Sequence, residues 1–219
     1  MSSKKSIEKI DIITYYMEYV ESNGKTPKSI EYFIEKHDIE IEDFDKHFNS
    51  FEDLEQDVFK IFFDNTVSLL NKSEDYHAFE AKDKLLSFYY TFFEILTANR
   101  EYVEISLDRC GLYFSTPNVL KKLKANVLKF IDLLDIDTID FKQQNIENIQ
   151  KKAIRESAWI QLYATLKFWL DDTSEAFEKT DVYIEKSIKA SFDLIDTTAL
   201  KSIIDFGKFI YKEQFKSSD

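Results

Sequence analysis

The sequence predicts an all-α protein, and three observations carry that expectation. Turn residues are scarce: 219 residues contain 3 Gly and 2 Pro, too few for the many tight turns of a β-sandwich or barrel. Apolar residues recur at three- and four-residue spacing along almost the whole chain, the period of a helix face. No internal repeat or low-complexity stretch interrupts those runs, and a hydrophobic content of 44% supplies a core. No run of about 18 apolar residues is present, so no transmembrane helix is expected.

Taken in order, the first helix is expected over about Ser6–Asn23, with Ile10, Ile13, Met17 and Val20 as its stripe and Tyr15, Tyr16 and Tyr19 thickening it. Gly24 ends it with a left-handed cap, and Pro27 stands near the start of the next helix, where its missing N–H is harmless. Two short segments follow. Ile30, Phe33 and Ile34 form one face; Asp38 and Ile39 interrupt; Ile41, Phe44 and Phe48 resume. Helix, tight turn, helix is the shape of a helix-turn-helix. Ser50 is the expected N-cap of a long helix over Phe51–Leu70, whose first-turn acids Glu52, Asp53 and Glu55 suit the helix dipole.

Beyond a polar joint at Asn71–Asp75, one helix is expected from Tyr76 to Asn99. Its middle is apolar nearly all round and therefore expected to be buried on every side. A shorter helix over Glu101–Arg109, a loop over Gly111–Pro117 and a helix opened by Pro117 come next. The last of these has Val119, Leu120, Leu123, Val127, Phe130, Ile131 and Leu134 inside. Its Lys121, Lys122, Lys124 and Lys129 are expected to be a solvated face. An acidic link at Asp135–Asp140 leads to a run over Phe141–Leu170, read as one helix or as two meeting near Ile149. Asp171, Asp172, Thr173 and Ser174 end it and cap a helix to about Leu194. Thr198–Phe215 is the last expected helix.

The stretch from Gly24 to Phe48 resembles the N-terminal domain of TetR-type repressors. Gly24, Ser29, Ile30, Phe33, Ile39, Phe44, His47 and Phe48 fall on the places of that family's pattern without a gap. Ser50, Glu52 and Leu54 match its path into the fourth helix. The chain departs from the pattern at three places: Asp38 stands for the glycine of the turn, Asp45 for a phosphate-contacting tyrosine, and Phe51 for a lysine. The resemblance implies a TetR-repressor-like fold: a helix-turn-helix domain over residues 1–48, and a larger helical ligand-binding and dimerisation domain over residues 49–219. It also implies a homodimer, with the last two helices pairing with their symmetry mates in a four-helix bundle. A second, shorter resemblance runs from Phe168 to Ile188. That segment is similar to the C-terminal region of the lipid-binding accessory proteins of ubiquinone biosynthesis, relatives of the TetR fold that do not bind DNA.

Charge decides what the head of such a protein can do. The net charge is −12 and the pI about 4.8. From Asp38 to Asp57 there are nine acids against Lys46 alone. The expected recognition helix, Glu40–Asp45, has four acids and no base. A DNA reader neutralises phosphates with Lys and Arg and releases counterions; four carboxylates would meet a like-charged duplex. DNA binding is therefore expected to be weakened or lost. Reading DNA would fall to Lys4, Lys5, Lys25, Lys28 and Lys46 around an acidic helix.

The chemistry of an enzyme is not written here. The three histidines His37, His47 and His77 lack zinc-ligand spacing, and there is no Walker loop, GxGxxG, GxSxG or HExxH. His47 is expected to pack. Asp171, Asp172 and Glu175 form a dense acid group, expected to cap helices. The single Cys110 allows no internal disulfide and suits a reducing cytoplasm. Lys4 and Lys5 are followed by no apolar h-region, so no signal peptide is expected. Neither a cofactor nor a metal is expected.

Aromatic content is 16%, with 20 Phe and 12 Tyr. Such residues ordinarily fill a core. Phe88, Phe92, Tyr113, Phe130, Trp159, Tyr163 and Trp169 are the candidates to line a site for a small hydrophobic or lipid-like ligand, with Tyr89 and Phe93 beside them. The competing readings are a working transcriptional regulator and an interaction module whose acidic face docks a basic partner protein.

Overall fold

The computed structural model describes residues 7–108, 116–136 and 144–195, with Phe206 and Phe209 beyond them. Every regular element among these residues is helical: α1 (Lys9–Asn23), α2 (Ile30–Lys36), α3 (Ile41–Asp45), α4 (Phe51–Leu70), α5 (Glu74–Ala78), α6 (Ala81–Ala98), α7 (Arg100–Asp108), α8 (Lys121–Leu133), α9 (Gln144–Asp171) and α10 (Glu178–Ile195). Short 3-10 turns precede α8 and α10. The all-α expectation holds. Packing groups the chain into two compact units, one from Met1–Ser73 and Thr91–Phe130, the other from Glu74–Tyr90 and Ile131–Asp219.

In the first unit, α1 starts at Lys9, where the Asp11 carboxylate accepts the Glu8 N–H at 2.9 Å. It ends at Gly24, whose φ of 64° supplies the left-handed cap. Its inner face is Ile12, Ile13, Tyr16, Tyr19 and Val20; Ile10, expected on the stripe, is 49% exposed. The face therefore follows the tyrosines rather than the Ile10–Met17 row, because the larger rings gain more from burial. Ser29 caps α2 by accepting the Tyr32 N–H at 3.2 Å, and Ser50 caps α4 by accepting the Asp53 N–H at 3.1 Å. Between α2 and α3, Asp38 takes a left-handed φ of 54°, which Asp tolerates better than most residues other than glycine. Phe33, Phe44 and Phe51 meet edge-on beside Tyr16 and Phe48 and form the aromatic centre of this head.

Residues expected to form one helix over Tyr76–Asn99 form two. The Phe79 N–H closes a tight turn on the Tyr76 carbonyl, and the Lys84 N–H on the Glu80 carbonyl begins α6. No Gly or Pro marks the break. Nor is α6 buried all round: Leu85, Phe88, Tyr89, Phe92, Phe93 and Leu96 are inside, but Glu94 is exposed and Tyr90 is 36% exposed. α9 is continuous through Ile149. The helix expected from Ser174 begins with a 3-10 turn and a kink, with φ of 49° at Ala176 and 58° at Phe177. Two non-glycine residues in that region are strained. Val182, expected inside on α10, is 47% exposed. The last expected helix lies outside the described residues, except that Phe206 and Phe209 are helical and exposed. Among the described residues no helix is long and apolar enough to cross a membrane.

Candidate functional site

The two short helices expected from residue spacing are present as α2 and α3, joined through the left-handed Asp38. Phe44 holds α3 down at 0% exposure. Glu40, Glu42 and Asp45 are exposed and Asp43 is half-buried, so the carboxylates face outward. Two head lysines lie over aromatic rings: the Lys28 ammonium is 4.4 Å from the Tyr32 centroid and Lys36 is 4.6 Å from that of Tyr19. Lys25 and Lys46 are exposed, and Lys4 and Lys5 lie outside the described residues. His47 stands 6.2 Å from the Phe48 ring, consistent with packing. His37 stacks on Tyr15 at 5.1 Å, and burial together with Lys36 lowers its pKa.

The acids at the start of α4 have a different fate. Asp57 is 4% exposed. One of its oxygens pairs with Lys9 of α1 and the other with Lys122 of α8, the latter at 2.9 Å. Lys122 also reaches Asp53 at 2.6 Å. Glu55 accepts the Tyr16 hydroxyl at 2.5 Å. The hydrogen bond from Lys122 holds the Asp53 carboxyl below its usual range, against the opposing effect of burial. Burial would lower the Lys122 pKa, but its two carboxylates raise it. Sequence reading placed Lys122 on a solvated face; the structure removes it from that face. The only early signal is that buried helix acids require cations, and nothing local names Lys122 as their source.

The aromatic candidates divide between the units. Phe92 and Phe130 belong to the first, where Phe130 meets Phe63 edge-on at 6.2 Å. Phe88, Trp159, Tyr163 and Trp169 belong to the second. There Trp159 and Tyr163 are nearly parallel at 6.2 Å, and Trp169 lies 6.1 Å from Phe177. Phe88 and Trp169 are fully buried, Trp159 is 3% exposed and Tyr163 is half-buried. Tyr113 lies outside the described residues. An open depression of about 440 Å³ runs along the C-terminal half of α4 past Phe63, Val67, Ser68 and Lys72, and none of the candidates lines it.

The acid group after α9 is a cap. One Asp172 oxygen accepts the Ser174 N–H at 2.9 Å and its hydroxyl at 2.7 Å; the other accepts the Thr180 N–H at 2.9 Å and its hydroxyl at 2.7 Å. Burial works to raise the Asp172 pKa, and these four bonds overcome it, so the carboxyl is held well below the usual range. With its oxygens occupied by N–H and O–H donors, Asp172 holds structure rather than a proton in transit. Among the described residues no group of three or more His, Cys, Asp or Glu is placed to hold a metal ion.

Against this all-helical architecture, the family model described as "Tetracyclin repressor-like, C-terminal domain" matches residues 84–210. The chain belongs to the TetR family. The match covers more than half of the chain. It lies wholly C-terminal to the Gly24–Phe48 stretch that carries the sequence resemblance, so two separate regions point to one family. None of the curated proteins compared is similar enough to the chain to count as a match.

Proposed function

We propose that this TetR-family protein is a regulator-like homodimer whose helical C-terminal part holds a small hydrophobic or lipid-like molecule, and whose head binds DNA weakly or not at all. The observation that carries the second half is the outward-facing carboxylate set of α3, Glu40, Glu42 and Asp45. A duplex approaching this helix meets negative charge where counterion release needs positive charge. Of the lysines around it, Lys28 and Lys36 lie over Tyr32 and Tyr19, and Lys25 and Lys46 are exposed. The kept turn geometry favours the competing reading, a working operator binder using Lys4, Lys5, Lys25, Lys28 and Lys46. Fluorescence anisotropy with the gene's own upstream duplex at low salt separates the two. With the titration repeated at physiological salt, our reading expects dissociation constants no tighter than about 10⁻⁴–10⁻⁶ M, the non-specific range. Tight binding with a steep salt slope supports the operator binder.

For the ligand, the reading takes Phe88, Trp159, Tyr163 and Trp169 of the second unit as the apolar wall. They combine large apolar area with ring faces that suit an acyl or isoprenoid chain. The chain's only tryptophans are both in this set, so intrinsic fluorescence reports on it directly. Titration with a bromine-labelled fatty acid is expected to quench that emission saturably. Native mass spectrometry of the purified protein is expected to show a co-purifying lipid; repeated absence of both signals overturns the ligand.

A further inference from the structure

We propose that the corner between α9 and α10 is a strained latch over Trp169. The Asp172 carboxylate holds it shut, its own left-handed residues push it open, and its opening admits an apolar chain to the indole. That last step deepens the ligand reading above and rests on it; the latch itself does not.

Ala176 and Phe177 stand at φ of 49° and 58°, a region that side chains with a Cβ avoid. Each such residue disfavours its conformation about five- to thirty-fold, and neither is a glycine, which would remove the cost. Strain of this kind persists only where the surroundings over-determine it. Here one carboxylate restrains both sides of the pair. Asp172 accepts from Ser174 before it and from Thr180 after it. Its own N–H donates to the Trp169 carbonyl at 3.2 Å, which ties the clamp to the end of α9. The Ser174 hydroxyl oxygen accepts the Lys179 N–H at 3.2 Å, and the Ser174 carbonyl accepts the Phe177 N–H at 3.2 Å. Loss of the Asp172 carboxylate therefore loosens the corner from both helices together.

The strained backbone carries a cover. Trp169 is 0% exposed. The Phe177 ring lies 6.1 Å from it, tilted by 46°. Phe177 itself is half-buried, and Glu175, Ala176 and Glu178 around it are exposed. Part of what shields the indole is thus a ring that solvent reaches, mounted on a residue whose φ is costly. Returning Phe177 to the ordinary negative φ re-aims its Cβ, so the movement that relieves the backbone also shifts the cover. Trp169 is one of the four rings taken above as the apolar wall, and the same movement uncovers that wall. A corner that only reversed the chain would be better served by glycine at residue 176. Strain placed beside a covering ring, and opposed by a single side chain, is the construction of a catch that opens as one piece.

Acrylamide quenching of a full-length Trp159→Phe protein, in which Trp169 alone emits, tests the latch. Asp172→Ala is expected to raise the quenching constant several-fold with helical circular dichroism unchanged. Adding Ala176→Gly relieves the strain without restoring the clamp, and is expected to bring the constant most of the way back. A constant unmoved by Asp172→Ala, or raised by it and not brought back by Ala176→Gly, overturns the latch. If Asp172→Ala unfolds the chain, hydrogen exchange decides. Ala176→Gly alone is expected to slow exchange of the Thr180 amide about fivefold and to leave that of Ile188, buried farther along α10, unchanged. Equal rates at Thr180 in the two proteins overturn the latch. The ligand step has its own readout. Quenching by a bromine-labelled fatty acid is expected to develop faster in Asp172→Ala and slower in Ala176→Gly. Saturable quenching at one rate in all proteins removes the route past Phe177. No saturable quenching in any of them removes the ligand reading, with the acrylamide result still deciding the latch.

Discussion

Two neighbouring segments of the first unit have nearly the same acidic composition and opposite surroundings. Glu40–Asp45 contributes carboxylates that face water around one buried phenylalanine. In Glu52–Asp57 the first acid is exposed, but Asp53, Glu55 and Asp57 are drawn inward, where Lys9, Lys122 and Tyr16 reach them from α1 and α8. The difference teaches that acid count is not surface charge. Of the nine acids from Asp38 to Asp57, Asp53 and Asp57 are paired with lysines inside the fold, whereas Glu40, Glu42 and Asp45 stay at the surface.

If that contrast is right, removing charge should be costly in one segment and nearly free in the other. The largest effect is expected at Asp57, where Asp57→Leu leaves Lys9 without its carboxylate and Lys122 with Asp53 alone. Both ammonium groups are partly open to water, so a loss of about 2–4 kcal/mol in chemical denaturation is expected. Lys122→Met should cost less, about 1–3 kcal/mol, because Asp57 keeps Lys9 and the site is partly open to water. Tyr16→Phe, which takes one hydrogen bond from buried Glu55, is expected to cost about 1–2 kcal/mol. Glu42→Gln with Asp45→Asn should fall within about 0.5 kcal/mol. A large loss in that last variant, or none at Asp57, would erase the contrast.

Acid sharpens the same comparison. The Asp53 and Asp172 carboxyls are both depressed in the fold. Their stabilisation is therefore complete above the unfolded value of 3.8 and lost as pH falls below it toward the folded values. A thermal midpoint recorded from pH 6 down to pH 2 is expected to stay flat and then drop through that window. Asp172→Asn should flatten part of the drop, and the α3 variant should leave it unchanged.

The helical class and most helix boundaries were legible in the sequence, because long periodic runs with few breakers leave little choice. α4 falls on Phe51–Leu70 as read, since Ser50 supplies an explicit cap. The break between α5 and α6 was not legible: it sits at Phe79–Glu80, with neither glycine nor proline to mark it. Tyr16 and Tyr19 drew the buried face of α1 away from Ile10, a choice made by what packs opposite rather than by spacing. The fate of Lys122 was invisible for a deeper reason. Its partners are 65 and 69 residues earlier, and a lysine among lysines carries no local sign of leaving them. The aromatic candidates were found as aromatic, but spacing along a helix does not reveal that they divide between two compact units.

The left-handed Asp38 has one last consequence. A bend that commonly relies on glycine is held here by a residue bearing a charge of its own, so the angle of the head and its electrostatic sign are set by different atoms. Asp38→Gly should relax the bend and raise stability by up to about 1 kcal/mol while trimming one negative charge. Backbone shape and surface sign are thus separable at this one bend.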